Sequence, residues 1–338
     1  MKEIALVTSL EYSKAEEVFR SADQGLFEAV PAEESQLAEA VAARGTRAVI
    51  VGIEPYVGPL YESLGRNGGQ DGSIIVRFGS GHDNVDKKLA RRHGIAVANT
   101  PDALKQSVAE HTMWLMGSVA RAIPKSAAQL AGGQFRANTG IELSGKALGI
   151  LGLGAIGRRV ASIAHFGFGM KVLAAGCLSV AELEQREGMA LEQIKDTLGL
   201  ERYTTEADIV LERSEIVSVH LPLTPQTRHF LDAERLSRMK PGAILVNTAR
   251  GAIVDENALY DALQSKHLSG AGLDIFETEP YRPTSPDKDL RTLGNAVLTP
   301  HIGSNTHEAN KRLGYASVRN IVNFLAGRLE EVDRVNTL

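Results

Sequence analysis

The sequence predicts an α/β protein built from two doubly wound parallel-sheet domains. Three observations carry that expectation. Short β-rich runs alternate along the chain with helical stretches that have one charged face. The β-rich runs are almost continuously apolar, as strands are when a parallel sheet is covered on both sides. The 338 residues, 43% of them hydrophobic, suffice for two cores at roughly 100–200 residues per domain.

In the first third, Ile4–Thr8, Ala48–Gly52, Ile74–Phe78 and Ile95–Ala98 read as buried strands. Glu34–Ala43 and Val85–His93 lie between them with helical spacing. A long helix is expected from about Pro101 to Ala120, because Val108, Thr112, Leu115 and Val119 share one helical face. Ala131-Gly132-Gly133-Gln134 then marks a loop. A second series follows, with strands near 147–151, 171–175, 216–219, 243–247, 270–275 and 296–299. Between its second and third strands, Leu178–Ala207 is charged and helical and reads as a surface insertion of one or two short helices.

After His301 about 37 residues remain, mostly one helix, Glu308–Ala326. That is too little for a third domain, so this helix is expected to pack onto the first. The expected division is 1–102 with 300–338 in one domain and 103–299 in the other.

Composition excludes several classes. A net charge of -4 gives no basic field, so direct nucleic-acid contact is not expected. No apolar run approaches the ~18 residues of a membrane span. The opening run Met1–Val7 is too short for a signal peptide's apolar region. The single cysteine, Cys177, excludes an internal disulfide and a cysteine-based zinc site. No His/Asp/Glu cluster has metal spacing, and His82 and His111 read as structural. A metal-free cytoplasmic protein is the expectation.

Gly152-Leu153-Gly154-Ala155-Ile156-Gly157 is a G-x-G-x-x-G between the strand Ala147–Leu151 and a helix beginning near Arg158. In that setting the first glycine permits a tight turn, the second admits a pyrophosphate, and the third allows close helix–strand packing. The helix N-terminus adds free N–H groups for the anion. Six strands is also the count of a complete Rossmann sheet. The fingerprint normally ends with an acid at the tip of the next strand. Here that tip is Ala175-Gly176-Cys177-Leu178-Ser179, with neither acid nor base. NAD is the reading, with NADP left open and Arg186 as the first basic residue beyond the tip. Cys177 reads as a small hydrophobe in a tight corner.

Further motifs follow in order: Val76–Asp86, His220-Leu221-Pro222-Leu223-Thr224, Asn247-Thr248-Ala249-Arg250-Gly251, Gly272–Pro280 and Thr299-Pro300-His301-Ile302-Gly303. With the glycine loop, this set resembles the D-isomer-specific 2-hydroxyacid dehydrogenase family from about Ile74 to Ala326. The resemblance implies a Rossmann dinucleotide-binding domain inserted in a discontinuous flavodoxin-like substrate domain. It also implies hydride transfer between NAD(P)H and C2 of a small 2-oxo or 2-hydroxy acid, and a homodimer with Ala120–Glu142 as its arm.

The chemistry of the residues fits that reaction. Reducing a 2-oxo acid needs a cation for carboxylate and carbonyl, and an acid for the forming alkoxide. Arg250 follows a strand's carboxyl end, where open α/β sheets bind ligands, and its planar guanidinium suits a carboxylate. His301 can give or take a proton near working pH. Glu279 is expected to bond His301, fix its tautomer and stabilise the imidazolium. The resemblance assigns all three the same roles. It further implies that Asp274 bonds the nicotinamide carboxamide, that the backbone around Ala249-Arg250 and Leu221-Pro222 lines the cofactor, and that Ala155-Ile156 hold the pyrophosphate. Gly79-Ser80-Gly81 can offer bare backbone N–H groups to the substrate carboxylate, with Arg77 adding charge. His220 is read equally as a packed strand-end histidine or a contact.

Three rival readings share the scaffold. One is a dinucleotide-sensing corepressor-like binding protein, which keeps the same three residues. A second is a formate- or phosphite-type dehydrogenase. The third is a phosphoglycerate dehydrogenase, for which serine feedback through a C-terminal regulatory domain is not expected.

Overall fold

The computed structural model describes residues 3–22 and 25–336. Met1 and Lys2, which open the amino-terminal run, lie outside them. The chain divides into two compact units, residues 1–104 with 304–338 and residues 105–303.

In the first unit the elements run β1 (Ala5–Thr8), α1 (Ser9–Lys14), α2 (Glu16–Ala22), β2 (Phe27–Val30), α3 (Glu34–Arg44), β3 (Ala48–Val51), α4 (Pro59–Gly68), β4 (Ser73–Arg77), α5 (Lys87–Arg92) and β5 (Ile95–Ala98). The sheet order is β2-β1-β3-β4-β5, all parallel, which is the flavodoxin-like order. Every residue of β1, β3 and β5 is buried, which accounts for their unbroken apolar runs. The helices begin where side chains satisfy their free amides. Glu33 accepts from Ser35 and Gln36 at α3, and Asp86 from Lys88 and Leu89 at α5. β2 was not expected: it is a four-residue edge strand with only its outer residues buried, too weak a pattern to stand out.

The second unit runs α6 (Lys105–Ala120), α7 (Ile123–Ala131), β6 (Ala147–Leu151), α8 (Ala155–Ser162), β7 (Lys171–Ala175), α9 (Val180–Glu187), α10 (Leu191–Leu198), β8 (Leu200–Thr204), α11 (Ala207–Arg213), β9 (Ile216–Val219), α12 (Ala233–Arg238), β10 (Ala243–Asn247), α13 (Glu256–Gln264), β11 (Leu268–Leu273) and β12 (Ala296–Leu298). Its sheet order is β12-β11-β10-β9-β6-β7-β8, again all parallel. The long helix begins at Lys105 rather than Pro101, because Asp102 takes a left-handed φ of 63° that no helix accommodates.

The segment expected as a helical insertion is partly sheet. α9 and α10 are present, but the chain then adds β8 as a seventh strand at the edge of the sheet. Ile194 of α10 is buried against that sheet's core. The strand signal was masked by the charged Glu201-Arg202 on a short edge.

The closing helix, α14 (His307–Leu325), is capped by Thr306 and returns to the first unit. Gly314 lets it approach Ala15 and Val18: a Cβ there would come within 2.8 Å of the Cβ of Ala15. Asn336 then bridges β5, accepting from Val97 N and donating to Ile95 O.

Candidate active site

Parallel strands put all their carboxyl ends on one edge of the sheet. In the second unit, β6 ends at the glycine loop, β10 at Arg250, β11 at Asp274 and β12 at His301.

The pairing of His301 with Glu279 is present. His301 Nδ1 lies 2.7 Å from Glu279 Oε2. The other carboxylate oxygen accepts from the Phe276 amide at 3.1 Å, so the acid is held from both sides. His301 has φ +52°, a left-handed conformation that is uncommon outside glycine and is sustained only when its surroundings fix it. They do: its amide donates to the carbonyls of Asp274 and Thr299 at 2.8 and 3.0 Å.

The Asp274 carboxylate is buried and holds the His301 loop. Oδ1 accepts from Thr299 Oγ1 at 2.6 Å and from Ile302 N at 2.9 Å, and Oδ2 from Gly303 N at 2.8 Å. His111 Nε2 stands 3.3 Å from Oδ1 and 3.1 Å from Thr299 Oγ1. Burial alone would raise the Asp274 carboxyl, but the hydrogen bonds from His111, Thr299, Ile302 and Gly303 outweigh it and hold the group below the usual aspartate range. His111 was missed as a member of this site. Its one available signal is its spacing, four residues before Leu115 on the helical face read as buried.

The Arg250 loop is braced by Asn247, buried at the end of β10. Its side chain donates to Arg250 O at 2.9 Å and accepts from Ala249 N at 3.0 Å. Thr248 Oγ1 meets Thr112 Oγ1 of α6 at 2.8 Å. Gly251 lies flat on the Phe276–Glu277 backbone, with no space for a Cβ. The Arg250 guanidinium is half-buried and donates to Ala249 O at 2.6 Å.

The glycine loop fits a dinucleotide. Gly152 has φ +100°, and a Cβ there would come within 2.5 Å of the His220 carbonyl. Gly157 packs onto Gly152. Gly154 is exposed and faces open space, and α8 starts beside it with no side-chain cap, so its first amides point out uncapped. Ala155 is exposed beside them, while Ile156 packs on the core. Leu221 also packs inward, and Pro222 is exposed.

The strand tip is small for a local reason. A Cβ at Gly176 would lie 2.5 Å from the Tyr203 hydroxyl of β8, and that hydroxyl donates to Leu178 O at 2.6 Å. The space there belongs to Tyr203. Cys177 is exposed, not buried in a corner as expected. Arg158 of α8 holds Glu187 through two bonds of 2.8 and 2.9 Å, and Arg186 Nε meets the same carboxylate at 2.8 Å. His220 meets Ser218 Oγ at 2.8 Å at the end of its strand, and burial pushes its pKa down to about 3.

In the first unit, the expected three-amide cradle is reduced. Gly79 N donates to Arg77 O at 2.9 Å in a tight turn, and the Arg77 guanidinium bonds the Phe78 carbonyl. The Ser80 and Gly79 carbonyls accept from Asn99 Nδ2 and Thr100 N, which fixes the loop. His82 Nδ1 meets Lys87 Nζ at 3.1 Å.

Comparison with known proteins agrees with this layout. The family model for the D-isomer specific 2-hydroxyacid dehydrogenase NAD binding domain matches residues 113–303. A hydroxypyruvate reductase from Thermotoga maritima is 41% identical over 256 residues, 75% of this chain and 78% of the relative. A D-3-phosphoglycerate dehydrogenase from Methanocaldococcus jannaschii is 41% identical over 260 residues, 76% of this chain but only 46% of the relative, so the chain spans about half of that protein. The structure of a D-lactate dehydrogenase from Aquifex aeolicus, complexed with NAD and lactic acid, superposes with a TM-score of 0.79 at 27% identity over 99% of each chain. Glycine loop, sheet order and family match converge, and the chain belongs to the D-isomer specific 2-hydroxyacid dehydrogenase family, NAD(P)-dependent oxidoreductases of small 2-hydroxy acids.

Proposed function

We propose that this enzyme reduces small 2-oxo acids of the glyoxylate and hydroxypyruvate kind, with His301 as acid/base, Glu279 as its partner and Arg250 as the substrate cation. The observation that carries the reading is the 2.7 Å His301–Glu279 pair, set on a loop clamped by Asp274. A bound nicotinamide dinucleotide supplies the hydride. Gly152, Gly154, Ala155 and Gly157 are the residues to hold its pyrophosphate.

The protein's own contribution is positional and protonic. Glu279 occupies Nδ1 of His301, which leaves Nε2 to deliver a proton to the forming alkoxide in reduction or take it in oxidation. Arg250 draws the carboxylate and polarises the carbonyl. Asp274 acts on the reaction through the loop it holds. Arg77, Gly79, Ser80 and Gly81 remain proposed substrate contacts in the first unit, the proposed substrate domain. The division at about 102 and 300 is likewise part of this proposal.

A homodimer is also proposed. Along α6, α7 and the following arm, Trp114, Ile123, Leu130, Phe135 and Ile141 are exposed, Phe135 at 98%. An apolar strip of this kind marks an association surface.

The deciding experiment is a panel of 2-oxo acids assayed by NADH and NADPH oxidation. Turnover of glyoxylate or hydroxypyruvate supports the reading. Dinucleotide binding without turnover of any acid would favour a corepressor-like binding protein, and turnover of formate or phosphite alone would favour that chemistry.

A further inference from the structure

Behind the Arg250 loop, two acids hold each other by exchanged hydrogen bonds. The amide of Glu277 donates to Glu256 Oε1 at 2.6 Å, and the amide of Glu256 donates to Glu277 Oε1 at 3.1 Å. Glu277 Oε2 is also bonded, to His229 Nε2 at 2.8 Å. Glu256 Oε2 is different: it is buried and has no hydrogen-bond partner among the described residues.

The two acids join the segments that carry the chemistry. Glu256 opens α13, six residues after Arg250, and Glu277 stands two residues before Glu279. Between them Gly251 is pressed onto the Phe276–Glu277 backbone. His229, itself at φ +48°, adds the 229–231 stretch, because its amide donates to Ala252 O.

We propose that Glu256 is a positioning residue that works as a neutral acid, clamping the Arg250 loop to the Glu279 segment through the exchanged bonds with Glu277. This rests on the roles given above to Arg250, Glu279 and His301. A carboxylate with one oxygen stripped of water and of donors is costly, whereas the protonated acid keeps the bond at Oε1 and removes the charge. The groups around it favour the neutral form as well. Burial pushes the Glu256 carboxyl up, the Glu277 amide pulls it down, and the charges of Glu277, Asp255 and Glu279 push it up again, to about 7. Tyr281 faces the same cluster as a neutral phenol donating to none of these acids, its own hydroxyl accepting from Leu290 N. His229 Nε2 meets the far oxygen of Glu277 and leaves Glu256 Oε2 unserved.

The sign of the resulting pH dependence follows. A glutamic acid raised from 4.5 to about 7 in the folded protein stabilises it fully below 4.5. That contribution falls as pH rises towards 7 and is constant beyond. Thermal unfolding of wild type and Glu256→Gln, from about pH 4.5 to 8.5, reads this directly without substrate or cofactor. The variant's Tm relative to wild type should climb up to about pH 7 and then level off. Parallel curves would overturn the neutral acid.

Activity tests the clamp. Glu256→Gln keeps the acceptor and should hold kcat/KM for glyoxylate within about twofold at about pH 6, while Glu256→Ala should lose about tenfold, with the bond to the Glu277 amide gone. Equal activity of the alanine variant and wild type would overturn the positioning role. If the alanine variant does not fold, a large loss in the glutamine variant at about pH 6 does so instead. Should no 2-oxo acid be turned over, the dehydrogenase reading fails, and the unfolding curves still decide the state of Glu256.

Discussion

Glu279 Oε2 and His301 Nδ1 stand 2.7 Å apart across 22 residues of sequence, and each is fixed separately by backbone just beyond the carboxyl end of β11. Phe276 N holds the acid, and the Asp274 carbonyl holds the histidine's amide. Neither group depends on the other to stay in place. Replacing one therefore tests its chemistry more than the fold.

His301→Ala should lower kcat on the order of 10²-fold or more while dinucleotide binding persists, as expected for a general acid/base. Near-wild-type turnover at pH 6–8 would remove His301 from the mechanism. Glu279→Gln keeps the shape but removes the charged acceptor at His301 Nδ1, so kcat should fall while dinucleotide binding persists. An unchanged kcat, with normal unfolding, would separate Glu279 from the proton transfer.

Arg250→Lys retains charge and loses the two-pronged geometry. KM for the 2-oxo acid should rise and kcat fall, because carboxylate and developing alkoxide both lose a contact. The check is kcat/KM for each accepted acid; if none changes, the guanidinium only shapes its loop.

Asp274→Asn should destabilise the protein by about 1–3 kcal/mol at neutral pH, since buried donors on Ile302 and Gly303 lose a charged acceptor. The pH dependence has a definite sign. A carboxyl held below its ordinary value of 3.8 contributes above that value and loses its contribution as pH falls through the depressed one. The wild type's lead in Tm over the variant should therefore be constant above about pH 5 and shrink below about pH 4. A lead that does not shrink would mean that the charge on Asp274 is irrelevant.

The cofactor preference should be modest, within about tenfold, or ~1.4 kcal/mol. The tip of β7 has no carboxylate to reject a 2′-phosphate, and Tyr203 fills the space at Gly176. Arg186 is 51% exposed and paired with Glu187, which also holds Arg158. kcat/KM for NADH and NADPH with one good acid measures the ratio. If NADPH is favoured a hundredfold, Arg186→Ala and added salt should both shrink that preference, because an exposed contact to phosphate is screened.

Much of this protein is local enough to be written in the sequence. Unbroken apolar runs gave β1, β3, β4 and β5 because both faces of those strands are covered. The glycine loop was legible because its turn and close packing tolerate few other residues. Arg250, Glu279 and His301 stood out through the short motifs around them. What the sequence did not carry was pairing between distant groups. β2 and β8 are short edge strands whose apolar runs are broken by Glu28 and by Glu201-Arg202, and only hydrogen bonding to β1 and β7 identifies them. His111 joins Asp274 from 163 positions away. Glu256 and Glu277 look like two surface acids until the fold buries them together. Burial and charge proximity are properties of the tertiary structure, so the ionisation of Asp274 and Glu256 was decided there, whereas the chemical identity of the reacting groups was fixed by the chain itself.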